Sequence, residues 1–235
     1  MKINRGVERK LLFVLLFGAL ALLSSRLNFS ALVGAPNQFF TFFQFFGPIT
    51  GGFLGAGLGV ASVLIAQLAN NLLLGKAFDA VTIFRLLPML FAAFYFANYK
   101  SDKRPSRIFM ILVPLAAMLL FWSHPVGAAA WYFPLIFWTI PLLVALLPFE
   151  NLLARSLGST MTAHAIGGSL WNYFVPMTPE MWAALIPVVI FERLMFAGGI
   201  AASYVALNTV LDKLMASTKM KVSFPYVDKR YVISA

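Results

Sequence analysis

Ionisable residues interrupt the apolar stretches of this sequence at two places. His164 lies in Ser159-Thr-Met-Thr-Ala-His-Ala-Ile-Gly-Gly168, and Glu192 and Arg193 lie together in Ile186-Pro-Val-Val-Ile-Phe-Glu-Arg-Leu-Met-Phe196. Ionisable groups in apolar spans are costly, and they are kept where they pair or touch a ligand or ion. Glu192 is ten residues past Trp182 and His164 eleven before Val175, so both fall about 15 Å from the outer side and could meet at one depth. Two readings follow for His164 and Glu192, a structural pair that locks two helices and a ligand contact. Adjacent helical residues point about 100° apart, so Glu192 and Arg193 cannot both serve one partner.

A second set of polar groups collects near the ends of apolar runs. Asn28, Asn37 and Gln38 lie in the first connection. Gln67, Asn70 and Asn71 end a glycine-rich run, Arg85 opens the next, and Trp171, Asn172 and Tyr173 end the run carrying His164. Trp and Tyr at span ends form an interfacial belt, or the same groups line a polar, aromatic-walled pocket. Catalytic and metal signatures are absent from the sequence: no Gly-x-Ser-x-Gly, no phosphate loop and no metal-ligand cluster. No cofactor is implied. With no cysteine, disulfides and thiolate sites are excluded. The order Glu150, Arg155, His164, Asn172 loosely resembles membrane-embedded CPBP-type prenyl proteases. That family uses paired glutamates, and here the pair is missing and the spacings differ. An intramembrane enzyme centred on His164 and Glu192 is the alternative this implies.

The elements that must hold these residues are set by composition. The chain has 235 residues, 61% hydrophobic and 11% charged, with a mean hydropathy of +0.85. Soluble domains run at about 45–50% apolar and about 25% charged, so this sequence reads as an integral membrane protein. Apolar runs of 15 to 25 residues without alternation predict helices, because backbone groups in hydrocarbon must bond within their own segment. The fold class expected is an all-α, polytopic transmembrane bundle of six to eight segments, one or two of them short. It forms a single membrane domain, with a basic N-terminus at residues 1–10 and a tail at 213–235. The N-terminal run reads as an uncleaved first span.

Predicted spans cover residues 11–25, 39–74, 81–97, 108–122, 131–147, 152–175 and 182–211. Residues 39–74 carry no charge and as one helix would be about 54 Å long, against a hydrocarbon core of about 30 Å. A break is therefore expected at Gly47-Pro48 and Gly51-Gly52, giving a short piece near 38–46 and a longer one near 49–73. Basic residues agree. Lys2, Arg5, Arg9 and Lys10 form one cluster, Lys100, Lys103, Arg104 and Arg107 a second, and Lys213, Lys219, Lys221, Lys229 and Arg230 a third. All three face the cytoplasm only if an even number of crossings separates them, which requires that break. Eight segments result, both termini inside, in the plasma membrane. The net charge of +10 sits at membrane edges and points to anionic headgroups rather than nucleic acid. Gly51, Gly55 and Gly59 recur every four residues, predicting one helical face for close packing.

The stretch Phe45-Phe46-Gly47-Pro48-Ile49-Thr50-Gly51-Gly52-Phe53-Leu54-Gly55 resembles the signature of substrate-binding S components of energy-coupling factor transporters. Residues 186–207, which start near a proline and are rich in small residues, resemble their last helix. The resemblance implies a membrane subunit that captures a small-molecule micronutrient at its outer face. It would work with a transmembrane coupling subunit and two cytosolic ATPases, and have no catalysis of its own. Asn37, Gln38, Gln67, Asn70, Arg85, His164, Trp171, Asn172, Tyr173 and Glu192 are the candidate binding residues. S components commonly have six helices, and the coupling pattern in the first span is approximated by Ala21 and Ser25. An accessory subunit docked through the glycine face is a third reading.

Overall fold

A computed structural model of the chain describes residues 5–31, 39–99, 103–146, 148, 150–217 and 224–233. Apart from one short hairpin, the elements among the described residues are helical. In chain order they are α1 (Arg5–Ser24), β1 (Asn28–Ala31), β2 (Phe39–Thr41), α2 (Phe43–Leu73), α3 (Ala80–Phe84), α4 (Leu87–Asn98) and α5 (Arg104–Trp122). There follow α6 (Pro125–Ala129), α7 (Tyr132–Phe137), α8 (Thr139–Leu146), α9 (Leu152–Phe174), α10 (Pro179–Ser217) and a 3-10 turn at Lys229–Tyr231. The expected all-α bundle is what forms. Four helical stretches, Phe43–Leu73, Ala80–Asn98, Arg104–Trp122 and Pro179–Ser217, are long and apolar enough to cross a bilayer. Leu11, Leu12, Leu15 and Leu16 of α1 and Phe191 and Leu194 of α10 are exposed. An outer surface this apolar suits lipid and would drive aggregation in water.

The long apolar run does break, but at a different residue. Pro48 sits inside the first arm of α2 and the helix continues through it, as happens where neighbouring helices support the freed carbonyl. The interruption is at Gly55, whose φ of 77° and ψ of 170° leave the helical region. That combination is open almost only to glycine. It divides α2 into two arms, residues 43–54 and 56–73.

The arms fold back on each other. A Cβ on Gly59 would lie 2.6 Å from the Gly51 Cα and 2.8 Å from the Thr50 carbonyl carbon, whereas residues eight apart in an unbroken helix are about 12 Å apart. The Thr50 hydroxyl is shared between the carbonyls of Gly47, at 2.7 Å, and Gly59, at 3.1 Å, pinning the arms together. The expected single glycine face is thereby corrected. Gly51 and Gly59 meet across the hairpin because Gly55 between them turns the chain, so the three do not share one stripe.

Gly51 is also pressed on its other side by α4, where an added Cβ would fall 2.1 Å from the Ala93 carbonyl oxygen. α4 in turn packs on α9, with Ser159 Oγ donating to the Ala92 carbonyl at 2.8 Å. Tyr95 of α4 is buried in a notch left by Gly158, and its hydroxyl donates to the Pro141 carbonyl at 2.7 Å. α1 packs along the second arm, where Ser62 Oγ donates to the Val14 carbonyl at 3.0 Å. The span expected over 131–147 is divided into α7 and α8 by a turn at Trp138.

One end of the bundle gathers the C-terminal tail. The Tyr226 N–H donates to the Phe53 carbonyl at 2.8 Å, beside the Gly55 turn. The Asp228 N–H donates to Asn208 Oδ1 at 2.7 Å, Lys229 pairs with Asp212, and Arg230 pairs with Glu150 and Asp228. Arg230, hydrogen-bonded to it, holds Asp228 below the ordinary carboxylate value.

Gly59→Ala is expected to abolish or severely destabilise the fold, because backbone lies where the methyl must go. Gly57→Ala, where nothing lies within 4 Å, should be tolerated. Thermal unfolding and gel-filtration profiles of the two variants in detergent check this, and equal behaviour would show that the arms are not in contact.

Candidate ligand cavity

In the half of the bundle away from the tail, the arms of α2 are unequal. The arm 43–54 is about 18 Å long and the arm 56–73 about 27 Å. The space above the short arm is occupied by the β1–β2 hairpin and by a cavity of about 240 Å³. β1 and β2 pair antiparallel with an irregularity between Asn28 and Ser30. Phe29 and Phe40 of the hairpin meet Phe196 at 5.7 and 5.2 Å between ring centroids, and Phe29 meets Phe45 at 5.1 Å.

Helices α2, α3, α4, α9 and α10 and the hairpin supply the cavity wall. β2 and the start of α2 give Phe39, Phe40, Phe43 and Gln44, and the second arm gives Gln67. Phe84 and Arg85 come from α3 and its cap. α9 contributes His164, Gly168, Trp171 and Phe174, and α10 contributes Trp182, Val189, Glu192 and Arg193.

Neighbours fix the polar groups. Trp138 Nε1 donates to His164 Nδ1 at 3.2 Å, and Trp138 fits because an added Cβ on Gly168 would lie 2.7 Å from its ring. An indole can only donate, so Nδ1 is the acceptor and the imidazole proton sits on Nε2. Phe133 and Phe137 flank the ring at 5.8 and 5.9 Å. Arg193 is 4% exposed. Its Nη1 donates to Thr160 Oγ1 at 3.3 Å, its Nη2 lies 3.9 Å from Glu192 Oε2, and its guanidinium faces Phe40 and Phe196 at 5.1 and 4.9 Å. Arg193 Nε is buried without a hydrogen-bond partner among the described residues. Glu192 Oε1 accepts from Ser30 Oγ at 3.3 Å, which ties the hairpin to α10.

The structure brings together Gln67, Arg85, His164, Trp171 and Glu192 of the residues expected from sequence. Asn70 lies next door, with Asn71 and Lys76, in a pocket that shares Gln67 and Arg85. Asn172 is buried away from the cavity, its Oδ1 accepting from Trp182 Nε1 at 2.8 Å. Tyr173 is exposed and binds Ser123 and the Leu120 carbonyl at the end of α5. Asn37 and Gln38 lie outside the described residues. Helical phase explains the division. Seven residues is about two turns, so Trp171 lies under His164, whereas Tyr173, nine residues on, is about 180° away.

Sequence reasoning missed Trp182, Phe40, Phe84 and Gln44 and left Arg193 outside its binding set. Trp182, Leu185, Val189 and Glu192 recur every three or four residues, a stripe that was present to be read.

The Glu150, Arg155, His164, Asn172 series does not assemble. Glu150 binds Arg230 near the tail. Arg155 Nε donates to the Phe96 carbonyl at 2.8 Å, with its guanidinium 3.9 Å above the Phe96 ring. Asn172 lies about 25 Å further along α9 than Arg155. Among the described residues no three His, Cys, Asp or Glu side chains cluster as metal ligands would.

No protein-family model matches this chain, and no solved structure matches it. An uncharacterized protein of Methanocaldococcus jannaschii is 26% identical over 250 aligned positions, covering 97% of this chain and 82% of its own length.

Asn172→Ala is expected to lower stability by about 1–3 kcal/mol, the cost of leaving a buried donor, here the Trp182 indole, unpaired. Tyr173→Phe, at an exposed site, should change it far less. Thermal melts in detergent read both, and an unchanged Asn172→Ala melt would place Asn172 outside the packing.

Proposed function

We propose that this chain is the substrate-capture subunit of an energy-coupling factor uptake transporter, taking a small micronutrient into the cavity from the outer face. The observation that carries the reading is an aromatic and polar cavity beside a hairpin, on the opposite side of the bundle from the tail. The resemblance of residues 45–55 to S-component sequences supports it. The helical hairpin of α2 supplies the extra pass that the basic clusters require. On this reading there are eight membrane segments. Both termini and residues 100–107 face the cytoplasm, the hairpin and the α5–α6 turn face outward, and the membrane is the plasma membrane. ATP hydrolysis belongs to partner ATPases, and a transmembrane coupling subunit joins them to this chain. An intramembrane enzyme centred on His164 and Glu192, which line the same cavity, is the alternative.

Two measurements test the proposal. Gently solubilised protein from its native membranes is expected to co-purify with a coupling subunit and ATPases and to release a small molecule detectable by mass spectrometry. Protein that purifies alone and empty would overturn the capture role. For the orientation, a single cysteine at position 103 should resist an impermeant thiol reagent in intact cells and react after permeabilisation. Labelling in intact cells would invert the topology.

A further inference from the structure

The cavity wall is sorted by chemistry. Phe40, Phe43, Phe84 and Trp171 present flat apolar faces, while the charged groups are two guanidiniums, Arg85 and Arg193, and one carboxylate, Glu192. Glu192 is engaged, by the Ser30 hydroxyl on one oxygen and by Arg193 near the other. Arg85 is exposed toward the cavity and has no hydrogen-bonded or ion-paired acceptor among the described residues. Arg193 is enclosed, and its Nε has no acceptor among the described residues. Among the described residues the site therefore holds one cation in excess, Arg85, at its exposed side, and in its wall one buried donor without a partner, Arg193 Nε.

What complements this wall is an anion. A guanidinium fork matches a carboxylate in plane and spacing better than it matches other small acceptors. The His164 Nε2–H adds a directed donor beside the aromatic faces, suited to a ring nitrogen or carbonyl oxygen. A volume of about 240 Å³ lies below the roughly 300–1,000 Å³ of sites for drug-sized ligands, which limits the occupant to about one ring or a compact fused pair.

Resting on the capture role above, we propose that the cavity takes a small planar aromatic acid. Its carboxylate is answered by Arg193 and Arg85, and its ring lies against the aromatic wall. Arg85, at the exposed side, draws the anion in, and Arg193 in the wall behind it adds a second positive charge.

Three probes with one ring and different charge test this: benzoate, benzamide and benzylamine. Each is titrated into the full chain in lipid nanodiscs, with tryptophan fluorescence as the readout because Trp171 and Trp182 line the cavity. Benzoate is expected to bind at least about tenfold more tightly than benzamide, and benzylamine to give no saturation up to about 10 mM. Arg85→Gln, at an exposed position, should weaken benzoate about five- to tenfold and leave benzamide unchanged, and Arg85→Lys should restore part of the loss. The proposal is overturned if benzamide or benzylamine binds as tightly as benzoate, or if none of the three binds. It is equally overturned if benzoate affinity is indifferent to both Arg85→Gln and Arg193→Gln. Association with the coupling subunit and ATPases, measured on the same protein, separates the two readings. Preference for benzylamine with association intact sinks the aromatic acid alone, and benzoate binding without association sinks the transport role alone.

Discussion

The backbone-to-backbone approach of Gly51 and Gly59 is the contact on which the rest of the bundle depends. In a hydrocarbon interior a chain can reverse direction only where its backbone stays satisfied or enclosed by protein. Here the reversal is compressed into one residue, Gly55, because the flanking residues lack the side chains that would hold the arms apart. The Thr50 hydroxyl then bridges the two arms. Each arm is held from outside as well. Ala93 of α4 presses on Gly51, and α1 lies along the second arm through Ser62. The hairpin thus sets the separation of α1 and α4, and α4 sets the place of α9 through Ser159 and Tyr95.

Unequal arms create the cavity. A first arm as long as the second would fill the volume now shared by Phe40, Trp171 and Arg193. Because it starts late, the preceding residues form a two-stranded hairpin whose aromatic side chains pack on Phe196 and whose Ser30 reaches Glu192. One carboxylate therefore has two structural duties, anchoring the hairpin and partly balancing Arg193. The polar groups of the site are held by partners from several elements, an arrangement that keeps a binding geometry rigid before any ligand arrives.

Much of this was legible in the sequence, and the exceptions have physical causes. Charge parity and helix length both demanded a break within residues 39–74. Its position was misread because Gly47-Pro48 looks like the stronger breaker. Proline removes one hydrogen bond, which a packed neighbour tolerates, whereas only a glycine can take the φ that turns the chain fully. The repeat of Gly51, Gly55 and Gly59 reads as one packing face, yet periodicity cannot distinguish a stripe from two contact points flanking a hinge. Among site residues, Gln67, Arg85, His164, Trp171 and Glu192 converge on one cavity. Asn172 and Tyr173 were grouped with Trp171 by proximity in sequence, and helical phase sends them elsewhere. Arg193 enters the site beside Glu192 because both side chains turn to the same wall, their charged ends 3.9 Å apart.

The hydrogen bond from the Tyr226 N–H to the Phe53 carbonyl joins the turn at Gly55 to the tail segment 224–233. A growing chain inserts its early helices first, so the carbonyls around Gly55 face a long wait during synthesis. Until some 170 further residues have been made, that acceptor must turn to water or lipid headgroups. The tail acts as the closing stitch of assembly: biosynthetic order is written into the molecule as a seam that stays open until Tyr226 has been made.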